Sequence, residues 1–321
     1  METLILKAYA NATGRLPKAD QMSIRVFAGT DKSKILPLLA GVVSYADTVR
    51  IEGGVFVQQD FSETTSQNFN PGGYNNLNVK VTEEVAYIYF PALGGNLWRF
   101  KEYIDANNPP RTPAQPRIDY TSRMYALGDV QSMFESCTTL VNSISGLDLK
   151  NCYNFNNFFA SALRFNQDVH RLNIRAVTAS VMFAEAWSFN GRVDNIVGTQ
   201  TVAVDGIFRN AYSFNQPLTG WNLINCYNTQ SMFAGATSFD QDISQLNYNY
   251  ESNFGSFLDG SGLSPTNYDK FLIMLDGMDF SLRTQPKVMS AYGVKYSSNA
   301  ALAARNSLVA KGWTIYDGGK S

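Results

Sequence analysis

The sequence predicts an α/β repeat fold: a solenoid of short parallel strands, preceded by a small α/β or β N-terminal domain and closed by a helical C-terminal cap. Two observations carry this expectation. A three-residue phrase recurs six times, as Ser132-Met133-Phe134, Asn157-Phe158-Phe159, Val181-Met182-Phe183, Gly206-Ile207-Phe208, Ser231-Met232-Phe233 and Gly255-Ser256-Phe257, with its phenylalanines 25, 24, 25, 25 and 24 residues apart. Six residues after each anchor comes a second large apolar residue: Leu140, Phe165, Phe189, Phe214, Phe239 and Leu263. A fixed period of this length marks short units that cannot bury an apolar face alone and so stack on their neighbours.

The elements before the repeat read as a different unit, residues 1–108. Strands are expected at Ser23 to Phe27, Thr48 to Ile51, Leu77 to Val81 and Val85 to Phe90, from alternation or β-branched enrichment. Between the first two, Ile35, Leu38, Leu39 and Val42 fall at helical spacing, so the stretch from Lys34 to Tyr45 is read as a short amphipathic helix. Gly53-Gly54, Pro71-Gly72-Gly73 and Gly94-Gly95 are turn signals. Two readings stay open here, an independent domain or degenerate repeats that cap the first coil. Residues 109–116, with Pro109, Pro110, Pro113 and Pro116, read as a stiff extended linker, because proline fixes φ and removes amide donors.

Within the solenoid, 117–262, position counting assigns an interior and an exterior. Thirteen and fifteen residues beyond the anchors stand Leu147 and Leu149, Leu172 and Ile174, Ile196 and Gly198, Trp221 and Leu223, then Leu246 and Tyr248. Alternation turns these pairs inward as one strand per coil of a continuous parallel sheet, with the Met-Phe phrase, a turn of helix, opposite. The outward residues are the candidate binding face: Asp148, Lys150, Arg171, Asn173, Arg175, Asn195, Thr199, Asn222, Gln245, Asn247 and Asn249. Val197 and Ile224 share that face. Such a grid of amides with few charges meets a protein or a polysaccharide through many individually weak hydrogen bonds. The ladder Val141, Asn166, Asn190, Asn215 and Asp240, seven residues after the anchors, is read as structural, its side chains bonding the backbone of adjacent turns.

The cap, 263–321, is expected to begin with Ser264 as N-cap and Pro265 in the first helical turn. A second helix is expected from Ser298 to Lys311, stopped by Gly312 and followed by a strand at Trp313 to Tyr316. Such a segment covers the last open edge of a stack.

Composition narrows the function classes. The 26 basic and 27 acidic residues leave a net charge of -1, which lacks the basic footprint of a nucleic-acid partner. No apolar run reaches the length of a membrane span. The start, Met1-Glu2-Thr3-Leu4, has an acid where an export signal carries positive charge, so no cleaved signal is expected. Cys152 and Cys226 lie three repeats apart, about 14 Å at roughly 4.8 Å per rung, beyond disulfide reach. Catalytic candidates are sparse: His170, between Asp168 and Arg171, reads as a turn residue, and Asp259-Gly260-Ser261-Gly262 lacks the carboxylates of a calcium loop. No cofactor and no metal site is expected, and no enzymatic activity.

The phrase Met232 to Ser244, with Phe165 to Val169 and Ala211 to Asn222, resembles the BspA-like leucine-rich repeats of the DUF285 type found in bacterial surface proteins. The segments Gly262 to Leu272 and Arg305 to Ile315 are similar to the stretch that closes such arrays, so the resemblance spans roughly residues 125–319. It implies a leucine-rich-repeat-like solenoid used in adhesion or recognition at a virion or at the extracellular cell surface. Without an export signal, a phage virion component (tail, fibre or capsid-decorating protein) is the first expectation. A bacterial cell-surface adhesin is the second, and an enzyme with a cryptic N-terminal site the third. The partners expected are other virion or surface proteins through the N-terminal domain, and a host surface protein or polysaccharide through the solenoid; oligomerisation is left open.

Overall fold

The computed structural model describes residues 23–42, 48–68, 74–89, 97–102, 117–119, 124–138, 140 and 143–321. The β-branched runs of the N-terminal part form two five-stranded sheets. One has the order β10 (Arg117–Asp119), β1 (Ser23–Phe27), β8 (Val85–Tyr89), β3 (Thr48–Glu52), β6 (Ser66–Asn68). The other runs β5 (Glu63–Thr64), β4 (Gly54–Val57), β7 (Tyr74–Val81), β2 (Ile35–Val42), β9 (Leu97–Glu102). Every pairing within them is antiparallel. The chain crosses from the first sheet to the second at Gly53, whose φ of 74° and contact with the Val85 carbonyl leave no room for a side chain. A Cβ on Gly54 would lie 3.0 Å from Ile51 and 3.2 Å from Ala86, so the sheets touch there. Val26, Ile51, Ala86 and Ile88 from one sheet and Phe56, Val79 and Val81 from the other are buried.

The strands expected at 23–27, 48–51 and 77–81 are present, as is the one expected at 85–90 over its described part, Val85–Tyr89, but the helix expected over Lys34 to Tyr45 is, where described, strand β2. It pairs with β7 on one side and β9 on the other. Long-range pairing on both edges outweighs the helical spacing, and Pro37, in register with Asn78, argued against a helix interior from the start. The turns at 71–73 and 94–95, Val141 and the proline-rich stretch 109–116 lie outside the described residues. Beyond that stretch, β10 returns to pair with β1.

The leucine-rich-repeat-like solenoid is not what the chain forms. Sheets are small and mostly antiparallel; among the described residues, parallel pairing is confined to β11 (Met124–Asp129) with β12 (Leu147–Asn154), to β13 (Val288–Ala291) with β14 (Thr314–Asp317), and to isolated bridges such as Ala176 to Val197 and Leu223 to Tyr248. From 155 to 263 no strand runs, so the continuous parallel sheet is missing. The reason lies in the backbone: Asn173, Asn195 and Gly220, inside or beside the expected strands, have φ of 53°, 60° and 76°. A left-handed residue cannot continue a pleat.

The repeated phrases instead make turns that stack. Residues two before and two after each anchor are left-handed: Ser132 and Ser136 around Phe134, Val181 and Glu185 around Phe183, Gly206 and Asn210 around Phe208. This alternation splits the backbone donors into two sets. Met133, Glu135 and Cys137 donate three residues back, to Val130, Ser132 and Phe134. Ser132, Phe134 and Ser136 donate forward to Asn156, Phe158 and Ala160 of the next unit, at 2.9, 2.9 and 2.7 Å. Buried backbone groups are thus satisfied without a helix or a strand, and the turn of helix expected of the Met-Phe phrase is replaced by this motif.

Inside, the anchors form a column: Phe134–Phe159, Phe159–Phe183, Phe183–Phe208 and Phe208–Phe233 stack at 5.4, 5.6, 5.7 and 5.9 Å. A second column, Phe165, Phe189, Phe214 and Phe239, lies against it, with rings of one unit 3.8 to 4.1 Å apart. The sixth anchor is Leu258, not Phe257. Ser256 and Gly260 are the left-handed pair, and Phe233 donates to the carbonyl of Phe257, the residue before the anchor. Phe257 turns edge-on to Phe233 and stacks on Phe271 at 5.6 Å.

The C-terminal elements lie where expected. Ser264 caps helix α1 (Pro265–Gly277), Ser298 caps helix α2 (Asn299–Ala310), and Gly312 follows at φ 90°. Strand β13 continues the hydrogen bonding of the stack, since Leu258 donates to Ser290, Ser290 to Phe254 and Gly260 to Tyr292. The Asp269 carboxylate ties the helices together by accepting from the amides of Ser297 and Ser298 at 2.8 Å.

Candidate functional site

Counting back from the anchors locates an edge with regular chemistry. Six positions before them stand Tyr153, Val177, Val202 and Tyr227, on adjacent rungs where Val177 donates to Tyr153 and Val202 to Val177, both at 2.9 Å. Tyr153, Val177 and Tyr227 are exposed and Val202 is half-buried. The next residues, Asn154, Thr178, Ala203 and Asn228, are linked by parallel bridges. Two residues further come Asn156, Ser180, Asp205 and Gln230. Side chains knit these two columns: Thr178 Oγ1 donates to Asn154 Oδ1 (3.1 Å), the Ser180 amide to Asn156 Oδ1 (2.8 Å) and Asn228 Nδ2 to Asp205 Oδ1 (2.9 Å). A stripe of tyrosine and valine therefore runs beside a stripe of amides and hydroxyls.

The edge ends in a groove of about 550 Å³, within the size range of small-molecule sites. Tyr227, Asn228, Gln230 and Asn253 come from the repeats, Asn249, Tyr250 and Glu251 from the last connecting turn, and Thr284 and Gln285 from the loop before β13. That loop is pinned by two charged residues. Glu251 accepts from the Thr284 amide (2.8 Å), the Thr284 hydroxyl (2.9 Å) and the Gln285 amide (3.0 Å). Desolvation opposes its charge, but the hydrogen bonds from Gln285 and Thr284 outweigh it and hold the carboxyl below its ordinary range. Arg283 donates to the carbonyls of Tyr250 (2.6 Å) and Pro286 (2.9 Å), with its guanidinium 5.1 Å from the Trp313 ring.

Of the residues expected to bind, Asn249 is the one that lines this groove among the described side chains. Lys150 is exposed on β12, and the Asp148 side chain lies outside the described residues. Arg171, in a 3-10 turn, Asn173, Arg175 and Asn247 are exposed. Several others brace the chain. The Thr199 carbonyl accepts from Asn225 Nδ2 (2.8 Å), Asn222 Oδ1 accepts from the Ile224 amide (3.0 Å), and Asn195 Oδ1 fills the space where a Cβ on Gly220 would stand. Asn249 lines the groove while donating to the Ile224 carbonyl and accepting from the Glu251 amide. Gln245 lines a smaller hollow of about 350 Å³ beside Trp221. Val197, assigned outward, is buried because the chain there is irregular. Tyr227, Tyr250 and Gln285 were missed, although Tyr227 shares its repeat position with Tyr153, a signal readable from the period.

The asparagine ladder bonds backbone: Asn166, Asn190 and Asn215 accept from the amides of Asn190, Asn215 and Asp240, and Asp240 accepts from Ser264, at 2.8 to 2.9 Å. His170 is half-buried, its Nδ1 3.9 Å from Asp168. Among the described residues no three His, Cys, Asp or Glu side chains converge as metal ligands, and no helix is long and apolar enough to cross a membrane.

No curated protein and no solved structure matches the chain. Two overlapping stretches, 121–204 and 180–270, match a family model described as "Mycoplasma protein of unknown function, DUF285". The matched stretch includes the stacked turns and their Phe columns, so this part of the chain is similar to DUF285.

Proposed function

We propose that this chain is a non-catalytic recognition protein, presented at a cell surface or on a virion, that meets its partner along the edge from Tyr153 to Tyr227. The observation that carries this is the pairing of a tyrosine-valine column, exposed at Tyr153, Val177 and Tyr227, with amide and hydroxyl side chains on the same rungs, as at Asn154, Thr178 and Asn228. Tyrosine and amide side chains supply rigid contact area and adaptable hydrogen bonding together. The DUF285 match favours a cell surface over a virion, since BspA-like surface proteins carry that domain. Acidic groups serve the fold: beside the edge Glu251 holds the loop and Asp205 accepts from Asn228, while elsewhere Asp240 and Asp242 accept from Ser264 and Ser244. Held below their ordinary range, the carboxyls of Glu251, Asp240 and Asp242 are ionised acceptors, which suits bracing rather than proton donation.

The test is binding of the labelled full-length chain to a panel of intact bacterial and epithelial cells. Replacing Tyr153 and Tyr227 together by Ala should abolish binding, whereas replacing Trp187 and Tyr212, the exposed aromatic pair elsewhere on the stack, should leave it unchanged. Equal loss from both pairs, or no cell binding by the unaltered chain, overturns the reading.

A further inference from the structure

We infer that the groove at Tyr227 and Tyr250 is a binding site for a neutral oligosaccharide, a proposal that rests on the recognition reading above and names its ligand. The hydrogen-bonding inventory points to that chemistry. Among the hydrogen bonds of the described residues, Asn228, Gln230, Asn249 and Asn253 each spend part of their side-chain capacity on the fold. Asn228 donates to Asp205 through Nδ2 and keeps Oδ1 unspent; Gln230 accepts from Asn253 at Oε1 and keeps Nε2. The Gln285 side chain is uncommitted, as are the hydroxyls of Tyr227 and Tyr250. Both donors and acceptors are left over, and on Asn228 and Gln230 the side chain is already held by its other hydrogen bond. Sugar hydroxyls donate and accept at once and match such a set.

Charge argues against an anionic ligand. The one ionisable group with a formal charge in the lining is Glu251, and its two oxygens are occupied by Thr284 and Gln285. An anionic ligand finds no cation, because Arg283 donates to backbone carbonyls and packs on Trp313 instead. Toward a cation Glu251 keeps its charge, but three neutral donors already engage its oxygens and tie them to the loop. Tyr227 and Tyr250 are 57% and 42% exposed, so two ring surfaces remain for the C–H faces of a pyranose. The clamp made by Glu251 and Arg283 sets the loop wall in advance, and a site ordered before binding loses less on association. Beyond the groove the same column continues through Val202 and Val177 to Tyr153, a track suited to a polymer rather than a single sugar.

Isothermal titration of the full-length chain with maltohexaose, cellohexaose, chitohexaose and, as the anionic counterpart, hexagalacturonate tests this. At least one neutral hexasaccharide should bind. Tyr227→Ala and Tyr250→Ala should each weaken it about tenfold, the loss of one anchoring residue, while Tyr227→Phe should retain most of the affinity because the ring face is kept. Matching thermal unfolding of the variants shows that the fold is intact. If cells are bound through Tyr227 but no neutral oligosaccharide binds at millimolar concentration, the saccharide assignment falls and the recognition reading stands. If hexagalacturonate alone binds, or if a neutral sugar binds with no dependence on either tyrosine, the site as described is wrong.

Discussion

The N-terminal sheets and the stacked turns bury similar apolar side chains by opposite means. In the sheets, partners come from far apart in sequence: β1 lies between β8 and β10, and β2 between β7 and β9. In the stack, contacts stay within a unit or reach the next one, as Phe183 reaches Phe208 and Asn190 reaches Asn215. Sheets of the first kind form as one cooperative entity, because no strand is satisfied until distant ones arrive. A stack of the second kind sums local stabilities and neighbour terms, so damage to one unit spreads only to those beside it.

The largest break in that comparison should come from Phe208→Ala. It removes a ring that touches Phe183, Phe214, Trp221 and Phe233, and should cost about 3–5 kcal/mol. Hydrogen exchange should rise in the units on either side and stay unchanged in β1, β3 and β8. Phe56→Ala, in the sheets, should instead raise exchange across the whole N-terminal region. A uniform response to Phe208→Ala would remove the distinction.

Acid should separate the regions next. In the C-terminal part, burial opposes the charge of Asp269, yet hydrogen bonds from Ser297 and Ser298 prevail and hold its pKa down. A carboxyl lower in the folded state than in the unfolded chain stabilises above the unfolded value, about 3.9, and loses that contribution as pH falls through the folded value. Of the sheets' lowered carboxyls, Asp31 and Asp60 accept from serines within their own turns and Glu84 accepts from Lys32, all at the surface. Asp269→Asn should therefore cost about 1–3 kcal/mol at neutral pH and shrink the stability difference between pH 7 and pH 3 in urea titrations. An unchanged difference would assign the acid sensitivity elsewhere.

Much of this was legible from residue spacing, and the rest was hidden for physical reasons. The Phe columns followed from the period, and the helix starts from Ser264-Pro265 and Ser298, because caps and packing are written in side chains. Backbone conformation was not. Gly206, Gly235 and Gly260 hint at left-handed positions, but Val181 and Glu185 occupy the same sites with no compositional sign, Val181 being a β-branched residue that rarely does so. Side-chain alternation therefore read as strands what are turns. The groove was hidden because its wall depends on Glu251 meeting Thr284, a contact that no local pattern encodes.

A smaller effect is expected from Asn190→Ala. Its Oδ1 accepts from the Asn215 amide and from Gln216 Nε2 at an exposed position, where water can substitute, so the loss should be about 0.5–1.5 kcal/mol. Exchange of the Asn215 amide should accelerate while that of Asp240, which bonds Asn215 itself, should not. Acceleration at both would mean that the ladder is coupled beyond nearest neighbours.

The smallest perturbation is also the sharpest reporter. Burial pushes the Cys226 thiol up to about 12, and its Sγ lies 3.6 Å from the Asn228 carbonyl beneath the tyrosine edge. The thiolate is the reactive form, so in a chain with Cys137→Ser and Cys152→Ser, alkylation at pH 8 should proceed only through opening of the stack. The three cysteines all lie between 137 and 226, which leaves the N-terminal sheets without a thiol. Phe208→Ala should then accelerate labelling of Cys226 strongly, and Phe56→Ala should leave its rate unchanged. Equal acceleration by both would show that sheets and stack open as one unit, against the contrast drawn from their contacts.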